Sequence, residues 1–270
     1  MINYLFYVLF FILGLFCGTL VNFIAGGLTR DPRVFVFSNC RNCLAAWRPL
    51  YMLPVAGFLL ARGKCPACGK PLGIHIIPVE VGTGLLLAYL LWSYGFTWEL
   101  SVLIIFCLLL LILLVTDIEQ MLIPNVVTYP GLIIVLLISV AIWLLNVKPH
   151  WFFAIQAPGI FMLMNNYLVN IVLGGLAGFI LLFLVHILGG MAAGDVKLIA
   201  LIGLMTGFPM VILALFIGIV GGGLVAGALL LTRRRGRKDP MPFGPFLCLG
   251  GIVTLLWGRQ ILAWYLSAGG

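Results

Sequence analysis

The chain has 270 residues, of which 64% are apolar and 8% charged, with a mean hydropathy of +1.25. Soluble domains carry about a quarter charged residues, so this composition excludes a water-soluble enzyme and indicates an all-α polytopic membrane protein. The net charge of +8 lies in stretches flanking apolar runs, which marks membrane orientation and membrane lipids as neighbours, with no nucleic-acid partner.

The first segment, YLFYVLFFILGLFCGTLVNFIAGG, lacks the positive start and short apolar core of a cleaved signal and reads as a retained helix, residues 4–26. Further spans are expected at 79–95, 99–116, 126–146, 168–188, 196–208, 209–231 and 243–266, about eight in all. The sixth and seventh form one uninterrupted stretch of 36 residues unless TGFPM breaks it at Gly207 and Pro209, and about 20 residues suffice for one crossing. Charge favours the break. With eight crossings and the N-terminus outside, the cytosolic loops hold Arg30, Arg33, Arg41, Arg48, Arg62, Lys64, Lys70, Lys197, Arg233, Arg234, Arg235, Arg237 and Lys238. Only Lys148 and Arg259 of the 15 basic residues remain elsewhere.

The expected organisation is a first helix at 1–26, a small cytosolic loop domain at 27–78 and a membrane-embedded core at 79–270. The loop holds CRNC (Cys40, Cys43) and CPAC (Cys65, Cys68), two C-x-x-C knuckles separated by 21 residues. That spacing suits a tetrahedral, structural Zn²⁺ site of the ribbon type, and a reducing cytosol argues against disulfides. Cys17, Cys107 and Cys248 lie within spans and read as packed apolar residues. None of His75, His150 and His186 has metal-ligand spacing with the cysteines; His186 reads as a packed or interhelical hydrogen-bonding residue.

Two carboxylates stand out. Asp117 follows the third span in LLLLILLVTDIEQMLIPN, and Asp195 follows the fifth in GGMAAGDVKL. Both fall at cytosolic helix ends in the eight-span topology, at one membrane depth, and acidic residues within membrane segments are rare and normally retained for a purpose. Two such groups sharing a proton would activate water and protonate a leaving amine. Glu119 reads as helix-end charge or a further site residue. Lys197 reads as a topology signal, a phosphate-side anchor or an electrostatic partner of Asp195. Glu80, at the start of the second span, faces substrate or a small-molecule donor on this reading. The glycines of GIVGGGLVAG (218–227) have no strand beside them and serve close helix packing rather than nucleotide binding.

Taken in order, GLFCGTLVN, the paired knuckles around LPVAGFLLARGKC, PVEVGTG, TDIEQMLIPN, AAGDVKLIALIG and PFGPFLCLGG resemble the bacterial type IV prepilin peptidases, also called leader peptidase/N-methyltransferases, across about residues 13–262. The resemblance implies an intramembrane aspartic peptidase of the G-x-G-D class in the bacterial inner membrane. Such an enzyme cuts the leader from type IV prepilins and the related pseudopilins of type II secretion, then methylates the new N-terminus with S-adenosylmethionine. It implies Asp117 and Asp195 as the catalytic pair, with Gly194 beside the second, and Cys40, Cys43, Cys65 and Cys68 as metal ligands. The methyl donor is placed around Gly63, Lys64 and Glu80, and Pro242 and Pro245 at the substrate entrance. The chain departs from the family pattern at Ala192, where the first glycine of G-x-G-D is usual, and at Asn125, where LPD is common. The connection 147–167 is longer than usual and is expected along the membrane surface.

Two readings from other classes compete. A proton- or cation-coupled transporter predicts midplane acids and symmetric repeats, neither of which the sequence contains. A non-catalytic zinc-ribbon scaffold predicts tolerance of changes at Asp117 and Asp195 but not at the cysteines.

Overall fold

The computed structural model describes residues 4–27, 53–73, 75–153, 165–232 and 242–268. Among these the chain is helical throughout, with no sheet: α1 (Tyr4–Gly27), α2 (Ala56–Leu60), α3 (Ile76–Tyr94), α4 (Trp98–Gln120), α5 (Asn125–Leu144), α6 (Tyr167–Ile187), α7 (Ala193–Thr206), α8 (Met210–Leu231) and α9 (Gly244–Ala268). Lipid supplies no hydrogen-bond partners, so an apolar chain satisfies its backbone within each helix. Two compact units divide the chain, Met1–Glu119 and Gln120–Gly270.

In the first unit α1 lies antiparallel against α3. Gly14 and Gly18, four residues apart on one face of α1, abut the α3 backbone; a Cβ on either would stand 2.6 Å from the Cα of Gly84 or Glu80. The small-xxx-small spacing lets two backbones touch where side chains would hold them apart. α4 is the most deeply covered of the long helices, with Leu103, Phe106, Cys107, Leu110 and Leu113 all buried.

In the second unit the short α7 packs against α5, α6, α8 and α9. Nine of its 14 residues are buried, Asp195 among them, and the less covered face is the stripe of Ala193, Lys197, Ala200 and Leu204. Gly203 lies against the backbone of Gly174, Ile199 against Gly178, and Phe208 against Asn170, an antiparallel register that ends α7 beside the first turn of α6. α8 and α9 are likewise antiparallel, with Gly218 and Gly222 against Phe246 and Gly250 against Ala214. Of the glycine stripe expected to serve packing, Gly218 and Gly222 do so closely and Gly221 more loosely, whereas Gly223 and Gly227 face open space.

The break expected at TGFPM is present: α7 ends at Thr206, Gly207 takes φ +75, and α8 starts at Met210. One expectation changes. Seven helices, not eight, are long and apolar enough to cross a membrane among the described residues. The exception is the sixth span, which forms α7; its 14 residues reach only about 21 Å, against about 30 Å of hydrocarbon. Its neighbours bury nine of its 14 residues, so composition alone resembled a lipid-facing span.

The start of the connection after α5 folds back on its flanking helices. Phe152 and Tyr167 meet edge to face at 5.4 Å, packed with Ile142 and Ile171, and Arg259 Nη1 donates to the His150 carbonyl at 3.1 Å. Residues 154–164, the rest of the segment expected along the membrane surface, lie outside the described residues.

A methyl added at Gly203 would meet the Gly174 carbonyl, a backbone group that cannot rotate away, whereas one at Gly223 meets nothing within 4 Å. Gly203→Ala is therefore expected to lower stability by about 1–3 kcal/mol. Gly223→Ala should be neutral or slightly stabilising, because alanine is the better helix former. Thermal unfolding of both variants in detergent checks the contrast in sign.

Candidate active site

Asp117 lies one turn from the end of α4 and is 4% exposed. Thr116 beside it is buried, its hydroxyl donating to the carbonyls of Ile112 and Leu113 at 2.9 Å. Two residues on, Glu119 is not a solvated end charge: its Oε1 lies 2.6 Å from Nε2 of His75, the residue that caps the start of α3. The contact pins the end of α4 to the start of α3 within the first unit. Sequence spacing did not flag His75, because its partner is 44 residues away.

Asp195 is placed by how α6 stops and α7 starts. Gly189, at φ +77, donates to the His186 carbonyl at 2.9 Å, and Gly190 donates to Val185 at 3.0 Å. This Schellman closure ends α6 and turns the chain sharply, with glycine supplying the left-handed residue. His186 Nδ1 lies 2.7 Å from the Met191 carbonyl, so this histidine bonds its own loop rather than another helix. α7 then starts at Ala193, with Asp195 in its first turn and 7% exposed. The N-terminal turn of a helix presents unpaired N–H groups and favours an acidic residue.

The two departures around this motif have structural accounts. Ala192 is the N-cap residue, with φ −75, ψ 148 and an exposed side chain, a conformation open to any L-residue. Glycine is not needed there. Gly194 differs: a Cβ on it would lie 3.1 Å from Ile123 Cβ, so its bareness lets the segment before α5 approach the start of α7. Asn125, at the first residue of α5, accepts a hydrogen bond from Lys197 Nζ at 2.9 Å, and the same ammonium sits 5.2 Å from the centroid of Tyr129. Lys197 therefore ties α7 to α5 through a neutral partner and an aromatic face. Asn170 performs a similar task at the other end of α7, accepting from the Phe208 N–H at 3.0 Å and donating to its carbonyl at 2.8 Å. Neither Asn170 nor Tyr129 carried a signal in the sequence pattern.

Cys65 and Cys68 sit on a tight hairpin. Cys65 N–H donates to the Lys70 carbonyl at 2.9 Å, Gly69 N–H to Cys65 at 2.8 Å and Leu72 N–H to Gly63 at 2.8 Å, while Lys64 and Pro71 form an isolated bridge. Gly63 and Gly69 occupy φ +67 and +70, the conformations that close such a turn. The hairpin carries two thiolate donors three residues apart, which fits half of a tetrahedral zinc site. Cys40 and Cys43 lie outside the described residues, and among those described no group of three or more His, Cys, Asp or Glu could hold a metal ion. Cys107 and Cys248 are buried in their helices as expected, and Cys17 partly so. Of the donor-site expectations, Gly63 packs on the Phe58 ring and Lys64 is exposed. Glu80 is 3% exposed and has both oxygens engaged, Oε1 by the Thr19 hydroxyl at 2.9 Å and Oε2 by the Val55 N–H at 2.7 Å.

Comparison with known proteins gives these positions a setting. Residues 12–94 match the bacterial peptidase A24 N-terminal domain, and residues 104–227 match the type IV leader peptidase family. The chain is 32% identical to a prepilin leader peptidase/N-methyltransferase of Bacillus subtilis, over 85% of each chain. It is 33% identical to the protein of the same name from Pseudomonas putida, over 84% of this chain and 74% of that one, and 29% identical to that of Pseudomonas aeruginosa, over 90% and 81%. No solved structure matches with significance. With its N-terminal and peptidase segments matched in order and relatives above 30% identity over most of its length, the chain belongs to the peptidase A24 family of type IV leader peptidases.

Proposed function

We propose that this multi-pass inner-membrane enzyme removes the leader of type IV prepilins and pseudopilins at the cytosolic face and then methylates the exposed N-terminus. Its relatives bear the name prepilin leader peptidase/N-methyltransferase, and the two motif aspartates, Asp117 and Asp195, are buried carboxylates at helix termini. That pairing of family and burial carries the reading.

In the cleavage step one aspartate, ionised, takes a proton from water as the oxygen attacks the scissile carbonyl. The other, protonated, gives its proton to the leaving amine as the C–N bond breaks. The proton is shared by the pair, so the two titrations belong to the pair rather than to either residue. Asp117 and Asp195 supply these groups. Gly194 keeps the start of α7 in register with the segment before α5.

For topology we infer eight crossings with the N-terminus outside, α7 being a short one. Its antiparallel register brings its end beside the first turn of α6, so α8 starts from the end of the bundle at which α6 starts. The run Arg233, Arg234, Arg235, Arg237 and Lys238 then returns to the cytosolic side, as the positive-inside bias requires.

S-adenosylmethionine supplies the electrophilic methyl group, and the hairpin bearing Gly63 and Lys64 is the region assigned to it. Cys40, Cys43, Cys65 and Cys68 together would hold a structural Zn²⁺, which cross-links the loop domain at 27–78 without taking part in either reaction.

Asp117→Asn and Asp195→Asn are each expected to reduce leader cleavage by about 10²–10⁴-fold or more while leaving the protein folded in the membrane. Cleavage of a model prepilin by the purified variants decides this, and retained activity in either would overturn the aspartate pair. At the neighbouring positions the contrast is steric. Ala192→Gly should leave the cleavage rate near wild type, whereas Gly194→Val must displace Ile123 and should slow cleavage about tenfold or more, measured on the same substrate. Metal analysis of the purified protein should find about one Zn²⁺ per chain, lost in Cys65→Ser, with leader cleavage largely retained.

A further inference from the structure

We propose that Glu80 is a positioning residue for methyl transfer, holding the hairpin that carries Gly63 and Lys64 without touching the methyl donor. The inference rests on the methyltransferase reading and specifies how that site is held.

Both carboxylate oxygens of Glu80 are committed within the first unit. Oε1 accepts from Thr19 on α1, and Oε2 accepts from the backbone N–H of Val55, the residue immediately before α2. One side chain of α3 thus joins α1, α3 and the loop segment. The Val55 contact is specific: this β-branched residue sits at φ 57, a region that L-residues seldom enter, and its N–H meets the carboxylate from that conformation. From there the chain runs one short helical stretch to Phe58, whose ring packs on Gly63, and then into the hairpin of Lys64 and Cys65. Losing the Glu80–Val55 bond removes the described side-chain tether at the start of this segment and leaves a strained valine unsupported.

The alternative role is direct contact with the donor. S-adenosylmethionine carries a sulfonium and an ammonium cation, and a carboxylate binding either must be charged. A tether needs only hydrogen-bonding geometry. Glutamine in place of Glu80 keeps it: the amide oxygen accepts from Val55 N–H, and the amide nitrogen donates to the Thr19 oxygen. The Thr19 hydroxyl then uses its own proton for the Leu15 carbonyl, 3.2 Å away.

The test uses the purified full-length enzyme, a model prepilin and labelled S-adenosylmethionine, comparing wild type, Glu80→Gln and Glu80→Ala. Leader cleavage, methyl transfer to pre-cleaved product, the KM for the donor, and amide hydrogen exchange across residues 53–73 are all measured. In Glu80→Gln, methyl transfer and donor KM should stay within about threefold of wild type. In Glu80→Ala, methyl transfer should fall about tenfold or more and exchange across 53–73 should accelerate, with cleavage retained. A Gln variant that cleaves normally but loses methyl transfer or raises the donor KM tenfold overturns the proposal, because charge is then required. So does an Ala variant that methylates normally or leaves exchange unchanged. If Glu80→Ala loses cleavage as well, through misfolding, Glu80→Gln decides alone. If wild type itself transfers no methyl, the methyltransferase reading fails, and exchange across 53–73 still decides whether Glu80 is the tether.

Discussion

The close antiparallel contact of α6 with α7 is the constraint from which the second unit is built. Gly174 and Gly203 bring two backbones together at a distance no side chain allows, and Gly175, Gly178 and Gly207 extend the seam. Helices in lipid gain little from hydrophobic burial against one another, since lipid tails are as apolar as leucine; van der Waals contact and hydrogen bonding must hold them. Asp195 sits in the first turn of α7, so its height along the bundle follows from that seam. The Schellman turn at Gly189–Gly190 and the Asn170–Phe208 bonds fix the two ends of the same helix. In the proposed catalytic role Asp195 would gain from such a rigid mount, because a displacement of about 1 Å can cost a hundredfold in rate.

The first unit repeats the device with different chemistry. Gly14 and Gly18 seat α1 on α3, and at the same level Glu80 and Thr19 add a polar clasp, with Asn22 Nδ2 donating to the Ile76 carbonyl at 3.1 Å one turn further on. The glycines set how near the helices lie, and the hydrogen bonds set their register. Away from water a polar clasp is directional in a way that apolar packing is not, so a slip by one residue would strand Glu80 without donors.

Local rules made most of the helices legible. Apolar runs and the Gly207–Pro209 interruption located the helical segments, and family motifs singled out Asp117 and Asp195. Composition could not show that α7 is short and largely buried, because a helix buried by protein and one bathed in lipid are equally apolar. Nor could spacing reveal the polar partners. Glu80 meets Thr19 across 61 residues, His75 meets Glu119 across 44, and Lys197 meets Asn125 across 72. Such pairs have no periodic signature; they exist only once helix register is set.

Asn125 illustrates how far register carries. As a bare motif residue it looked like a lost acid, the neutral form of a position where the family commonly has aspartate. In the fold its side-chain oxygen accepts from Lys197, so α5 is joined to α7 by a hydrogen bond without a carboxylate charge at this position. What the position requires is an acceptor at the first residue of α5, within reach of an ammonium on α7. Asparagine and aspartate both meet that demand. Because Asn125 is exposed, a charge there would add little strength beyond the hydrogen bond itself, exposed ion pairs being worth about 0–1 kcal/mol. The same reasoning covers Ala192, where the backbone does not need glycine, whereas a side chain at Gly194 would have to push Ile123 aside.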